Sequence, residues 1–130
     1  MHPFRAAVEA RDMDAAVALL RDDVVFRSPV AFKPYRGRAA VAPILHAVLR
    51  VFEDFHYVRE IGAADAADHA LVFRAHIGDQ QVEGCDFLHV DDAGAIDEFV
   101  VMVRPLTATI ALAKAMEAQL ATAEGAVNAR

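Results

Sequence analysis

The sequence predicts an α+β fold, a cone of helices packed on a strongly curved antiparallel or mixed sheet that encloses an apolar pocket. Three observations predict it. Helical patterns come first, four strand-like segments follow with turn chemistry between them, and an alanine-rich helical pattern closes the chain. Such an order gives a meander whose inner face must be buried on the helices.

The elements follow in sequence. Phe4 and Val8 lie one helical step apart, and Val17, Leu19 and Leu20 come next, so residues 3 to 20 read as two short helices or one bent one. Asp12, between the two stretches, can accept from a free backbone N–H of the second. Val24-Val25-Phe26 is a short β-prone run bounded by Asp23 and Pro29. Residues 28 to 37 hold Pro29 and Pro34 and end in Gly37, which predicts an ordered loop. From Arg38 the pattern turns helical, with Val41, Ile44, Leu45, Val48, Leu49 and Phe52 at steps of three and four. Pro43 is expected near the first turn, where its missing N–H costs little.

Strands are expected over residues 55–63, 70–77, 81–90 and 95–104. Gly78-Asp79 and Asp91-Asp92-Ala93-Gly94 separate the later ones, as in hairpins. Parity tells the faces apart. Leu71, Phe73, Ala75 and Ile77 share one side and should face inward, while Val72, Arg74 and His76 share the other. Residues 106–121 close the fold as a helix, and 122–130 are expected to be a frayed tail. One domain over 1–121 accounts for the pattern.

Composition narrows the function. Apolar residues make up 56% and charged residues 25%, the balance of a globular domain. No apolar run reaches the roughly 18 residues that cross a bilayer, so no membrane role is expected. The net charge of −6 argues against nucleic acid, whose binding needs phosphate neutralisation. Lys33, Arg36 and Arg38 do cluster, and a solvated loop and helix start explain them. Cys85 is the one cysteine, so no internal disulfide forms and a reducing cytoplasm is the expected setting. The arginine- and alanine-rich usage fits a GC-rich bacterial genome.

The aromatic residues Phe32, Phe52, Phe55, Phe73 and Phe99, with Val101, could line a cavity or form plain core. No metal or cofactor is expected. The six histidines show no ligand spacing on one helix, Cys85 has no partner, and there is no glycine-rich phosphate loop or nucleophile elbow. His76 and His89 share the outward parity on adjacent strands, where a surface zinc pair is conceivable and solvated histidines are the expectation.

Several phrases line up with a known family. Arg11-Asp12-Met13-Asp14-Ala15 leads into Leu20-Arg21-Asp22-Asp23-Val24-Val25-Phe26, then Ser28-Pro29, then Tyr35-Arg36-Gly37-Arg38. Later come Glu83-Gly84-Cys85-Asp86-Phe87-Leu88 and Asp91-Asp92-Ala93-Gly94. From residue 4 to about 120 the chain resembles the nuclear-transport-factor-2-like superfamily in its SnoaL-like branch. That scaffold hosts many activities as well as binding-only modules.

The resemblance implies a pocket rimmed by the loop that Ser28 and Tyr35 flank, with both facing a ligand; a turn-forming serine and a tyrosine that packs the loop are the alternative. Compared with the ketosteroid isomerases, Ser28 stands where they carry a catalytic aspartate, Phe4 and Leu45 stand where they carry tyrosines, and Asp86 matches their oxyanion-hole acid. An alcohol cannot shuttle a proton as a carboxylate does, so steroid isomerisation by that mechanism is not expected. Limonene-epoxide hydrolases use two aspartates and an arginine, and no second inward aspartate or arginine is found here. The polyketide cyclases pair an acid with a histidine, a role left open for His56.

Asp86 is therefore the expected catalytic residue. Buried among Val82, Gly84 and Leu88, it would have a raised pKa and could donate a hydrogen bond to a carbonyl or enolate oxygen. The bland alternative is an aspartate bonded to a nearby loop or helix end. Two functions remain open. One is a cofactor-free isomerase, cyclase or hydrolase acting on a small apolar carbonyl or epoxide compound, and the other is a non-catalytic binding module. The outward Cys85, Phe87, Val100 and Met102, and the family's habit of pairing through that face, imply a homodimer.

Overall fold

The computed structural model describes residues 1–128 of the chain, with side-chain surroundings through residue 121. Its elements are α1 (Pro3–Glu9), α2 (Met13–Ala18), β1 (Leu20–Arg27), β2 (Tyr35–Arg36), α3 (Arg38–Val51), β3 (Glu53–Ile61), β4 (Asp68–Ile77), β5 (Gln80–Val90), β6 (Ile96–Arg104) and α4 (Leu106–Asn128). The six strands form one sheet in the order β2-β1-β6-β5-β4-β3. All neighbours are antiparallel except β1 and β6, which run parallel, so the sheet is mixed.

The N-terminal stretch is two helices, not one bent one. Asp12 starts the second, its Oδ1 accepting from the Ala15 N–H at 3.0 Å. Strand β1 is longer than the Val24-Val25-Phe26 run predicted. Its first half, Leu20-Arg21-Asp22-Asp23, is too polar to read as strand, and tertiary pairs hold it there. Arg21 reaches Asp23, Asp91 and Asp97, and Arg38 binds both the Leu20 carbonyl and Asp22. The loop after Ser28 also carries the two-residue strand β2, paired with Val25 and Phe26. Gly37 ends that loop at φ +93, a backbone shape that side chains rarely accept, and its N–H reaches the Val24 carbonyl at 2.8 Å.

Pro43 lies in the second turn of α3 rather than the first. It therefore removes one bond to the carbonyl four residues back, a loss the buried Val41, Ile44, Leu45 and Ala47 offset through packing. Helix α4 continues to Asn128, beyond the expected end at 121, and the last two residues of the expected tail lie outside the described residues. Among the described residues no helix is long and apolar enough to cross a membrane.

The parity expectation holds on β4 and β5. Leu71, Phe73 and Ala75 of β4 and Val82, Asp86 and Leu88 of β5 are buried on the concave face. Helices α1, α2, α3 and α4 cover that face with Phe4, Val8, Met13, Leu45 and Leu112 among others. On the convex face Phe87 and Met102 remain 40% and 59% exposed. Near Val58 the pairing of β3 with β4 slips by one residue, between Tyr57 opposite Phe73 and Arg59 opposite Val72. A second irregularity lies between Glu53 and His56, where Asp54 has φ 52. Such bulges bend a strand and sharpen its twist, which curls this edge over the helices.

Gly84 makes room for the pocket's central ring. It pairs with Phe73 across β4 and β5. A Cβ at Gly84 would lie 2.2 Å from Phe73 Cζ and 2.9 Å from the Met102 carbonyl oxygen. Phe73 is itself packed against Phe52, Phe55 and Tyr57 at ring distances of 5.5, 4.7 and 6.4 Å. Gly84→Ala should displace Phe73 and destabilise the fold by about 1–3 kcal/mol, the usual cost of overpacking. Urea denaturation checks this, and an unchanged midpoint would show that Phe73 moves aside freely.

Candidate functional site

Asp86 lies in the middle of β5, flanked on the same face by Gly84 and Leu88 and only 5% exposed. Its Oδ2 accepts a hydrogen bond from the Tyr57 hydroxyl at 2.7 Å. Tyr57 stands two strands away, on β3, and reaches over β4 to make that bond. Its ring is held by Phe55, edge-on at 5.0 Å, and by Phe73. The Arg5 guanidinium of α1 sits 5.9 Å from its ring centroid and is paired with Glu9 and Glu60.

Above Asp86 lies a cavity of ≈ 60 Å³. Phe52, Phe55, Phe73, Phe99 and Val101 line it, together with Phe4 and Leu45. Tyr57 and Asp86 supply the hydroxyl and the carboxyl group of an otherwise apolar wall. The cavity has room for a few waters at most.

Burial raises the Asp86 carboxyl from its usual 3.8 to about 7, because the charged form loses water; the Tyr57 hydrogen bond pulls it back only in part. Tyr57 is pushed well above its usual 10.0, first by burial and then by the Asp86 charge and hydrogen bond, so near neutral pH it remains a donor. Its proton is committed to Oδ2. Oδ1 is then the oxygen that can carry a proton to a ligand or accept one from it.

The other expected site residues divide. Ser28 and Tyr35 line a neighbouring cavity of ≈ 60 Å³ rather than the one at Asp86. Ser28 Oγ accepts from the Val30 and Ala31 N–H groups at 3.0 and 3.3 Å, the turn-forming role of a loop serine. Phe32 corrects an expectation. It is fully exposed, at 101%, because the tight turn at Ser28 carries the next residues outward, and it lines neither cavity. His56 is exposed and turned to the Asp54 carbonyl, so it forms no acid–histidine pair with Asp86. His76 pairs with Asp54 and Glu53, and His89 with Asp97. Their strand partners, Gln81 and Asp68, place them at opposite ends of the β4–β5 hairpin, and no metal-holding cluster occurs among the described residues.

Sequence reasoning missed Tyr57. Counting back from Glu60, which pairs with inward-facing Leu71, alternation puts Val58 and His56 inside. The extra residue at Val58 reverses that parity and turns Tyr57 inward. The alternating aromatics Phe55 and Tyr57 were the available signal.

The fold agrees with the comparisons. A family model described as "SnoaL-like domain" matches residues 2–99. A solved structure titled a steroid delta-isomerase, from Pseudomonas aeruginosa, is 42% identical, with a TM-score of 0.87 over 92% of this chain and 88% of that one. An uncharacterised protein with a cystatin-like fold from Silicibacter pomeroyi is 35% identical, with a TM-score of 0.86 over 94% of this chain and 88% of that one. A SnoaL-like protein of unknown function from Burkholderia thailandensis shares the fold at 16% identity, with a TM-score of 0.63 over 79% of this chain and 90% of that one. No curated protein sequence matches the chain.

A raised carboxyl pKa is also a stability statement. The folded chain keeps the Asp86 proton up to about 7, while the unfolded chain releases it near 3.8. The folded state thus binds more protons in that window, and its stability falls as pH rises through it. The gap corresponds to on the order of 4 kcal/mol as an upper bound. Asp86→Asn cannot ionise. Relative to the native chain it should gain stability progressively from pH 4 to pH 8. Thermal melts across that range check it, and parallel pH profiles for the two proteins would place the carboxyl at an ordinary pKa.

Proposed function

We propose a function from one premise: this chain belongs to the SnoaL-like domain family. The pocket binds a small apolar compound that carries a carbonyl or epoxide oxygen, and Asp86 acts on that oxygen as a general acid, without a cofactor. The observation that supports this is the Tyr57–Asp86 bond, 2.7 Å long, at the base of an apolar cavity.

A carboxyl near pKa 7 populates both protonation states at neutral pH, which suits proton transfer. In the neutral form, Oδ1–H points a proton at the ligand oxygen. Tyr57 holds Oδ2 and keeps the carboxyl plane from rotating. The reaction would be of the isomerase, cyclase or hydrolase kind, in each of which charge develops on that oxygen. The similar structure from Pseudomonas aeruginosa is called a steroid delta-isomerase, and the present cavity of ≈ 60 Å³ favours a slighter substrate than a fused-ring one.

The second reading is binding without chemistry. Ser28, at the position where the isomerases carry their aspartate, is engaged by the Val30 and Ala31 N–H groups and offers no base.

The test uses a panel of small apolar ketones and epoxides, with turnover followed by mass spectrometry and the Asp86 carboxyl followed by carbon-detected NMR. Turnover should require the neutral acid and so fall as pH rises through about 7. Asp86→Asn should lower it by roughly 10²- to 10⁴-fold. Tyr57→Phe removes the bond that lowers the carboxyl pKa, so the descending limb should move to higher pH. Ligand-dependent shifts of Asp86 without turnover would select the binding module, and no shift with any compound would remove both readings.

A homodimer is also proposed. On the convex face Val58, Val72, Phe87 and Met102 adjoin an Arg74–Glu83–Arg104 ion cluster. A twofold axis through that face would bury the apolar groups and set each cluster's arginines near the other's glutamate. Light scattering at micromolar concentration should give twice 14.1 kDa. A strict monomer would end the proposal. With Cys85 the lone thiol, the cytoplasm is the compartment proposed.

A further inference from the structure

The cavity at Asp86 has a neighbour. The second cavity, the one at Ser28 and Tyr35, shares four lining residues with it: Phe26, Pro29, Val48 and Leu112. Two voids that share that much wall are one side chain apart. Phe26, 2% exposed, stands between them, its ring 5.4 Å from Phe99 on the Asp86 side and 6.2 Å from Tyr35 on the other. Leu112 of α4, 3% exposed, lines both voids as well. Beyond this partition the second compartment is closed by Ile44, Met116 and Leu120 and reaches the surface beside Val30, which is 41% exposed.

We propose that the two voids are compartments of one binding channel, which takes a slender, unbranched apolar chain with its oxygen at Asp86 and its tail between Ser28 and Met116. Phe26 and Leu112 then select against ring systems, and Ile44 and Met116 set the chain length. This rests on the proposed role of Asp86 as the group that binds the oxygen. Each compartment holds ≈ 60 Å³, far below the roughly 300 Å³ or more of sites for drug-sized molecules. A methylene chain needs only a narrow neck, and the partition is made of side chains, whose rotation opens it without moving a strand. The lining of both compartments is almost entirely apolar, so affinity should grow with each methylene buried.

The test uses 2-alkanones from 2-butanone to 2-decanone, with two readouts. The rise in Tm reports occupancy, and the Asp86 carboxyl resonance reports the oxygen. In the native chain the Kd should fall about fourfold per methylene. Met116→Phe and Ile44→Phe fill the second compartment. They should leave 2-butanone within twofold of native and weaken 2-decanone at least tenfold. Met116→Ala enlarges the compartment and should move the optimum to longer ketones, which keeps the test alive if a phenylalanine variant fails to fold.

An affinity independent of chain length, or equal losses for short and long ketones in the filled variants, overturns the channel. If affinity grows with length but Asp86 never shifts, the channel stands and the oxygen-binding role of Asp86 falls. If no ketone raises the Tm, both fall.

Discussion

Among the described residues the carboxyl of Asp86 has no cation to balance it, and much of the concave face is arranged around that fact. A lone buried acid is tolerated because it can stay protonated and because one strong donor, Tyr57, meets it. The donor must come from far away in sequence, since Asp86's own neighbours, Cys85 and Phe87, point to the opposite face. Sheet order brings β3 within reach, and the bulge near Val58 turns the phenol to the right side. The Tyr57 hydroxyl is thereby satisfied as well, so two buried polar groups answer each other.

The rest of the wall is aromatic, which suits a site that must stay dry around an acid. Phe52, Phe55, Phe73 and Tyr57 form a continuous set of ring contacts, and Phe4, Phe99 and Phe26 form another. Rings fill space with few rotatable bonds, so they define a cavity more sharply than aliphatic chains of similar bulk. The second set runs from α1 across β6 to β1. It couples the first helix to the one parallel strand pair in the sheet, where hydrogen bonding alone is weaker.

Much of this was legible in the sequence, and the exceptions have physical causes. Strict alternation in β4 and β5 gave the inward face directly, which placed Asp86, Phe73 and Leu88. Apolar spacing in α3 placed Leu45 and the helix itself. Alternation failed on β3, where one extra residue reverses the faces and hid Tyr57. Hydropathy failed at the start of β1, where Arg21, Asp22 and Asp23 are held by ion pairs that no local pattern displays. Phe32 failed in the other direction. An aromatic residue in a loop flanked by prolines resembled a pocket rim, but its direction depended on the turn at Ser28.

The bulge on β3 has an evolutionary consequence. Side chains on a strand change sides when its register slips by one residue, so a bulge acts as a switch rather than as a small perturbation. Removing Val58 would restore regular pairing with β4 and keep Tyr57 opposite Phe73, whereas pairing all of β3 regularly at its present length would set Tyr57 opposite Arg74 and carry it to the convex side, away from Asp86. A phenol can therefore be gained or lost at the acid through the pairing of β3 alone, without altering either residue. Differences in strand pairing among relatives would then carry as much information about chemistry as differences in residue identity.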